Sequence, residues 1–176
     1  MKSQLIADSL CRKIPQGFTI YGEAVGWTKN SKPIQKGYTY CCEPGTFKTL
    51  IYRVTFTNPE GEVIELTWPQ MREFCKKQDL EMVKEIFYGY AAEQLPKTTL
   101  ETLEEWQASF LAHLQKQYLE KKCQYNNMRV PAEGIVIRID HLDRCEAYKL
   151  KSFAFLEGET KALDAGETDL ETEEQS

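Results

Sequence analysis

A short aliphatic run framed by charge stands near the C-terminal end of the sequence, in Glu133-Gly134-Ile135-Val136-Ile137-Arg138. Its β-branched residues favour a strand over Gly134–Ile139, and the glycine lets another group approach the backbone closely. A second, shorter strand is expected over Glu146–Lys151, where Lys149 and Lys151 are two residues apart and project to the same face. Two adjacent ammonium groups repel each other unless an anion lies between them. The pattern therefore indicates either a phosphate site or a strand with two solvated lysines.

A second charged cluster lies far upstream, in Tyr21-Gly22-Glu23. The surrounding segment Phe18–Trp27 is rich in aromatic and β-branched residues and predicts a strand. Glu23 is then either on the solvent face or held in a cleft as a hydrogen-bond acceptor. Further along, Leu50–Thr57 and Glu62–Thr67 are two β-rich runs joined by turn residues, which predicts a hairpin.

Three helices are expected between and after these strands. Trp68-Pro69 opens the first, because proline is favoured in a first helical turn. The longest begins at Thr98 or Thr99 and runs to about Lys122, with Thr98-Thr-Leu-Glu101 fitting a capping box. Ser152 is expected to cap the last helix. Strands and helices are interspersed without regular βαβ alternation, so the predicted fold class is α+β.

The charge is divided unevenly along the chain. Its 176 residues carry a formal net charge of -5, and six acidic residues with no Lys or Arg fall in residues 163–176. We expect a folded domain over residues 1–162 and an acidic disordered tail over residues 163–176. The first 162 residues hold 22 basic and 21 acidic residues, so a local basic surface remains available for nucleic acid.

Several other classes of protein lack support in the sequence. No apolar run approaches the length of a membrane helix and no signal peptide is visible, which predicts a soluble, cytoplasmic protein. The six cysteines show no C-x-x-C spacing, so reduced structural thiols are expected rather than a zinc site or a disulfide framework. With two histidines and no nucleophile motif, histidine chemistry is weakly supported.

Taken in order, the three charged clusters resemble the motifs of the covalent nucleotidyltransferase superfamily, which contains ATP-dependent DNA ligases, RNA ligases and mRNA capping enzymes. Tyr-Gly-Glu comes first, Glu-Gly-aliphatic-aliphatic-aliphatic-Arg second and Lys-x-Lys third. The likeness covers roughly residues 18–161 and favours the RNA ligases, because no OB-fold domain follows Lys151. It implies an antiparallel-sheet, ATP-grasp-like nucleotidyltransferase core that is incomplete at its N-terminus.

The resemblance also implies a reaction and a set of roles. In this family a lysine attacks the α-phosphate of ATP in the presence of Mg²⁺, AMP passes to the 5′-phosphate of RNA, and a 3′-hydroxyl then displaces AMP. Carried over, Glu23 contacts the ribose and Tyr52 stacks on adenine. Glu133 becomes a catalytic residue and the metal ligand, whereas Lys149 and Lys151 both bind and activate the α-phosphate.

One departure from the family is prominent. The nucleophilic lysine belongs to a Lys-x-Asp-Gly motif upstream of Tyr-Gly-Glu, but here only Lys2 and Lys13 precede it and neither heads that motif. The nearest string, Lys77-Gln-Asp79-Leu80, lies in a predicted helix and lacks the glycine. We therefore expect the acceptor lysine to be absent from this chain. The alternative is a non-catalytic nucleotide- or RNA-binding module, or half of a split ligase whose partner supplies the lysine.

Overall fold

A computed structural model describes residues 14–98, 102–127, 129–141 and 144–164. In the described parts of the chain the elements are five strands, four α-helices and a 3₁₀ turn at Gln124–Asn126. The strands are β1 (Phe18–Gly26), β2 (Phe47–Thr57), β3 (Val63–Glu65), β4 (Gly134–Asp140) and β5 (Cys145–Lys151). The helices are α1 (Trp68–Gln78), α2 (Ala91–Gln94), α3 (Leu103–Tyr118) and α4 (Phe153–Asp164).

The strands form two small antiparallel sheets. β1, β2 and β3 make a three-stranded sheet in that order, and β4 pairs with β5 as a hairpin. The predicted α+β class, the β2–β3 hairpin and the two C-terminal strands are thereby confirmed, and the structure adds that these last two strands pair. None of the helices in the described ranges is long and apolar enough to cross a membrane.

The core forms where α1 packs on the three-stranded sheet. Ile51 and Val54 of β2 are fully buried together with Met71 and Cys75 of α1. Met71 and Cys75 are four residues apart and share one helix face, while the two β2 residues meet them from the sheet. This cluster fixes the position of β2. Tyr52 lies on the same strand, directly after the buried Ile51.

The first helix begins where the sequence predicts it. Pro69 lies in its first turn, and the Gln70 side chain accepts a hydrogen bond from the Thr67 N–H at 2.8 Å. The helix ends at Gln78, with Asp79 in the left-handed conformation at φ 53°. The Lys77-Gln-Asp79-Leu80 string therefore spans the end of the helix, with Lys77 inside it and Leu80 beyond it, instead of lying within the helix as predicted.

The longest helix begins later and ends earlier than predicted. Thr102 is its N-cap, accepting from the Glu105 N–H at 3.2 Å, so the capping box that forms lies four residues beyond Thr98. Thr98 begins no helix, and residues 99–101 lie outside the described ranges. The Trp106 indole donates to the Leu95 carbonyl at 3.0 Å, so Leu95 lies beside α3 and not on an N-terminal extension of it.

The end of α3 has an equally local cause. After Tyr118 the chain turns to pair residues 121–123 with residues 130–132, through Cys123 N–H to the Val130 carbonyl and Ala132 N–H to the Lys121 carbonyl, both at 2.8 Å. A helix reaching Lys122 would remove these bonds. Among the apolar residues of α3, only Leu114 is buried.

A network of ion pairs ties the two sheets together. Glu65, at the end of β3, is buried and accepts bonds from Arg53 at 2.9 and 3.0 Å. From the other sheet, Arg138 donates to the Leu66 carbonyl at 2.6 Å and pairs with Asp140 at 2.6 Å. The guanidinium of Arg138 also lies 3.8 Å from Glu65, so the buried carboxylate has cations from both sheets beside it.

Candidate functional site

The β4–β5 hairpin places the acidic and basic residues of the two C-terminal motifs side by side. Gly134 pairs with Lys151 and Val136 with Lys149, so these residues share one face of the hairpin. Glu133 enters β4, and its carboxylate accepts a 2.5 Å bond from the Lys149 ammonium group. Its backbone carbonyl accepts from the Ser152 N–H at 2.8 Å, which fixes Glu133 against the end of β5.

Gly134 makes this arrangement possible. Its φ is +149°, and a Cβ built on it would lie 1.9 Å from the Leu150 carbonyl oxygen. No other residue fits there without moving the backbone of β5. The glycine therefore sets how closely Glu133 approaches the strand that carries the two lysines.

Glu23 joins the same group from the other sheet. Burial raises its pKa, the negative charge of Glu133 raises it further, and the positive charge of Lys149 lowers it. Glu23 is thus close enough to Glu133 and Lys149 for their charges to act on it. Glu23 is half-buried, which is not the environment of a fully solvated carboxylate.

Lys151 has a different partner from Lys149. Its ammonium group lies 3.2 Å from the Glu159 carboxylate and 5.4 Å from the centre of the Phe155 ring, both on α4. The two lysines project to the same face, as expected, but each is held by its own carboxylate. We call Glu23, Glu133, Lys149, Lys151 and Glu159 the carboxylate–lysine cluster.

Tyr38 borders this cluster and was not singled out from the sequence. Burial, followed by the charges of Cys123, Glu133 and Glu159, raises its pKa to about 12. Its hydroxyl donates to the Pro131 carbonyl at 2.8 Å, and its ring meets Phe155 edge-on at 5.6 Å. Tyr38 lies in a loop with no recognisable motif, and no local sequence signal indicates this position.

Tyr52 lies at an irregularity of the first sheet. Tyr21 pairs with Arg53 and Gly22 with Ile51, so Tyr52 is an extra residue without a partner in β1. Its side chain is 46% exposed. Its carbonyl oxygen lies 3.5 Å from the Arg138 guanidinium, which brings this bulge next to β4.

Val136 of β4 is more exposed than Tyr52. It lies two residues before Arg138 on the same face of β4 and is 61% exposed; Ile139, at 45%, is the other exposed residue of this strand. Tyr52 therefore offers an exposed aromatic ring on the first sheet, and Val136 an exposed aliphatic side chain on the second. Val136 belongs to the motif Glu133–Arg138, but nothing in the sequence predicts that its side chain is exposed.

Arg53 takes a structural position. Its guanidinium forms the bidentate pair with Glu65 and lies 4.6 Å from the centre of the Tyr21 ring. The hydrogen bond to Glu65 is the main reason that its pKa is raised. Arg53 thus braces the sheet beneath Tyr52 and stays paired within the protein.

No group of three or more His, Cys, Asp or Glu side chains in the described parts of the chain is arranged to hold a metal ion. The cluster instead contains three carboxylates and two lysines. Magnesium usually takes one or two protein carboxylates and completes its shell with water and substrate phosphate. The donors present therefore suit a magnesium ion that arrives with a nucleotide.

Of the three lysines that the sequence analysis considered as nucleophiles, one lies within the described residues. Lys2 and Lys13 lie outside the described residues. Lys77 is in the last turn of α1, beside Lys76 and Glu73 on a surface groove.

The comparison with protein families identifies the family of this chain. The family model described as RNA ligase matches residues 2–151, which is most of the chain. The protein belongs to the RNA ligase family, and the match ends at Lys151, the second lysine of the hairpin. Comparison with curated proteins and with solved structures gave no match.

Proposed function

We propose that this chain is the nucleotide-binding core of an ATP-dependent RNA ligase in the nucleotidyltransferase superfamily. Such an enzyme joins RNA 5′-phosphate and 3′-hydroxyl ends through lysyl-AMP and RNA-adenylate intermediates. The observation that carries the proposal is the 2.5 Å ion pair of Glu133 and Lys149, whose charges also act on the half-buried Glu23 of the other sheet. These residues come from two sheets and from motifs far apart in the sequence. Family membership supports the same reaction class.

In this proposal Lys149 and Lys151 bind the α-phosphate. Both ammonium groups are partly exposed, with side-chain exposures of 50% and 37%, and lie on one face of the hairpin. Preorganised cations stabilise the charge that builds on a phosphoryl group during its transfer. Lys149 is already bonded to Glu133, so its position is fixed before a nucleotide arrives.

Glu133 is the residue we assign to magnesium. Its carboxylate lies beside the lysines that would hold the phosphate, and its side chain is 30% exposed. A magnesium ion at this carboxylate would neutralise charge on the phosphate oxygens. The chain's own contribution is to hold the carboxylate in place through the Ser152–Glu133 backbone bond and the close packing at Gly134.

The nucleoside is assigned to Glu23 and Tyr52 of the first sheet and to Val136 of the second. Glu23 is partly buried and offers carboxylate oxygens that can accept hydrogen bonds from the ribose hydroxyls. Tyr52 offers an exposed ring for stacking on adenine, and Val136 offers an apolar contact from β4.

The reaction is tested by incubating the purified chain with α-labelled ATP and Mg²⁺, followed by denaturing electrophoresis. A labelled band at 20.4 kDa would show that the chain contains its own acceptor lysine, and substitution would begin with Lys13 and Lys36. In parallel, pre-adenylated RNA is offered as substrate, because the sealing step does not require the lysine as a nucleophile. Sealing without a labelled band would support a ligase core that lacks only the acceptor.

A second candidate is favoured by the missing Lys-x-Asp-Gly motif. In this alternative the chain is a non-catalytic nucleotide- or RNA-binding module, or one half of a split ligase. ATP binding with neither adenylylation nor sealing would favour the binding module. Recovery of both activities on adding a chain that carries the motif would favour the split enzyme. Under either candidate, RNA repair in the cytoplasm is the proposed setting.

A further inference from the structure

The second lysine of the hairpin is held by a helix that follows it directly. Lys151 ends β5, Ser152 follows, and α4 begins at Phe153. Phe155 and Glu159 are four residues apart on α4 and therefore share one helix face. That face presents both an aromatic ring and a carboxylate to the Lys151 ammonium group, at 5.4 Å and 3.2 Å.

The start of α4 is anchored independently of this contact. The Ser152 hydroxyl accepts from the Phe155 N–H at 3.1 Å. From the chain after α3, the Glu120 carboxylate accepts from the Phe153 N–H at 2.6 Å and from the Ala154 N–H at 3.1 Å. Phe155 is buried against Tyr38. These anchors fix the helix, so Glu159 is brought to Lys151 by the fold as a whole.

A phosphate that binds Lys151 meets this carboxylate. Glu159 carries the same sign of charge as a phosphate oxygen and uses the same ammonium donors. The pair is partly exposed, at 37% and 43%, so it is weak enough to be exchanged for a better anion. The negative charges of Glu159 and Glu133 both act on Tyr38, so both carboxylates lie near this residue.

We propose that Glu159 is an internal competitor for the substrate phosphate at Lys151, which lowers the affinity of the cluster for nucleotide and pyrophosphate. This inference rests on the proposed function, because it takes Lys151 as a phosphate ligand. When phosphate binds, the ammonium group exchanges the Glu159 carboxylate for a phosphoryl oxygen, and no bond is made or broken covalently. The residue therefore sets the affinity for phosphate without being a catalytic residue.

The test compares the affinities of four proteins for inorganic pyrophosphate and for ATP, measured by isothermal titration calorimetry. They are the wild type, Glu159→Gln, Lys151→Ala and the double variant. Glu159→Gln keeps the side-chain shape and removes the charge. Glu157→Gln is the matched control, since Glu157 lies on the same helix but pairs with Lys161 at 3.6 Å.

The expected result is that Glu159→Gln binds both probes about two- to five-fold more tightly than the wild type, given the usual strength of exposed ion pairs. The gain should disappear in the Lys151→Ala background, and Glu157→Gln should bind like the wild type. Equal gains from Glu157→Gln and Glu159→Gln would reduce the effect to net charge and overturn the proposal. So would unchanged or weaker binding by Glu159→Gln.

Three outcomes separate this inference from the proposed function. If Lys151→Ala weakens binding but Glu159→Gln changes nothing, the competitor role is wrong and the phosphate role of Lys151 stands. If Lys151→Ala changes nothing, Lys151 is not a phosphate ligand. The proposed phosphate role of Lys151 and the competitor role of Glu159 then both fail. A wild type and variants that all fail to bind either probe would contradict the proposed function and remove the inference with it.

Discussion

Replacing Gly134 with alanine should disrupt the close approach of β4 to β5 at the candidate site. The added Cβ would lie 1.9 Å from the Leu150 carbonyl oxygen and 2.9 Å from the Lys151 Cα. The strands must separate by about 1 Å or more at this point, because close-packed interiors do not tolerate such overlap. Backbone strain at φ +149° costs about 1–3 kcal/mol, and a weakened strand hydrogen bond about 1 kcal/mol more. We expect Gly134→Ala to lower the free energy of unfolding by about 2–4 kcal/mol.

Urea denaturation followed by circular dichroism measures this loss, and ATP titration measures its effect on the site. Gly61→Ala is a matched control, because Gly61 also has a positive φ, +87°, but no atom lies within 4 Å of the added Cβ. Gly158→Ala is a second control in a helix with open space around it, and should be neutral or stabilising by up to about 1 kcal/mol. If Gly134→Ala were no less stable than Gly61→Ala and kept full ATP affinity, the steric reasoning would be refuted.

The remaining predictions concern the base, the buried carboxylate and the anchor of the last helix. Tyr52→Ala should weaken ATP binding by about 1–3 kcal/mol if the ring stacks on adenine, and unchanged affinity by calorimetry would remove Tyr52 from the site. Because the pKa of Glu23 is raised in the folded protein, its ionisation destabilises the fold as pH rises from the unfolded pKa through the folded one. Glu23→Gln should remove this loss, so the variant gains stability relative to the wild type between acidic and neutral pH in urea titrations; a constant difference would contradict the shift. Glu120→Ala should cost about 1 kcal/mol in urea denaturation, because the N–H groups of Phe153 and Ala154 lose their acceptor, and no loss would show that the cap is dispensable.

Local sequence patterns predicted much of the fold. Three signals act over a few residues and can be interpreted without the tertiary structure. They are the aromatic and β-branched residues of Phe18–Trp27, the turn residues between β2 and β3, and the proline at the start of α1. The end of α3 could not be predicted in this way. It depends on backbone pairing between residues 121–123 and 130–132, which is a tertiary contact.

The sequence names Glu23, Glu133, Lys149 and Lys151 as candidates, but it identifies neither Glu159 nor the pairings. Strand periodicity places Lys149 and Lys151 on one face, yet only the fold shows that Glu133 takes one lysine and Glu159 the other. The Glu159 contact depends on a helix whose start is capped by a carboxylate more than thirty residues away in sequence, in Glu120. No local motif encodes such a contact.

The central claim is that the cluster binds the phosphates of ATP, and one comparison tests it most directly. The affinity for ATP with Mg²⁺ is measured by calorimetry for the wild type, Lys149→Ala and Lys161→Ala, the last being a solvent-exposed lysine of α4. Hydrogen bonds to charged groups contribute about 1.5–3 kcal/mol, so we predict that Lys149→Ala binds ATP at least about tenfold more weakly while Lys161→Ala matches the wild type. Equal affinity in all three proteins would contradict the claim.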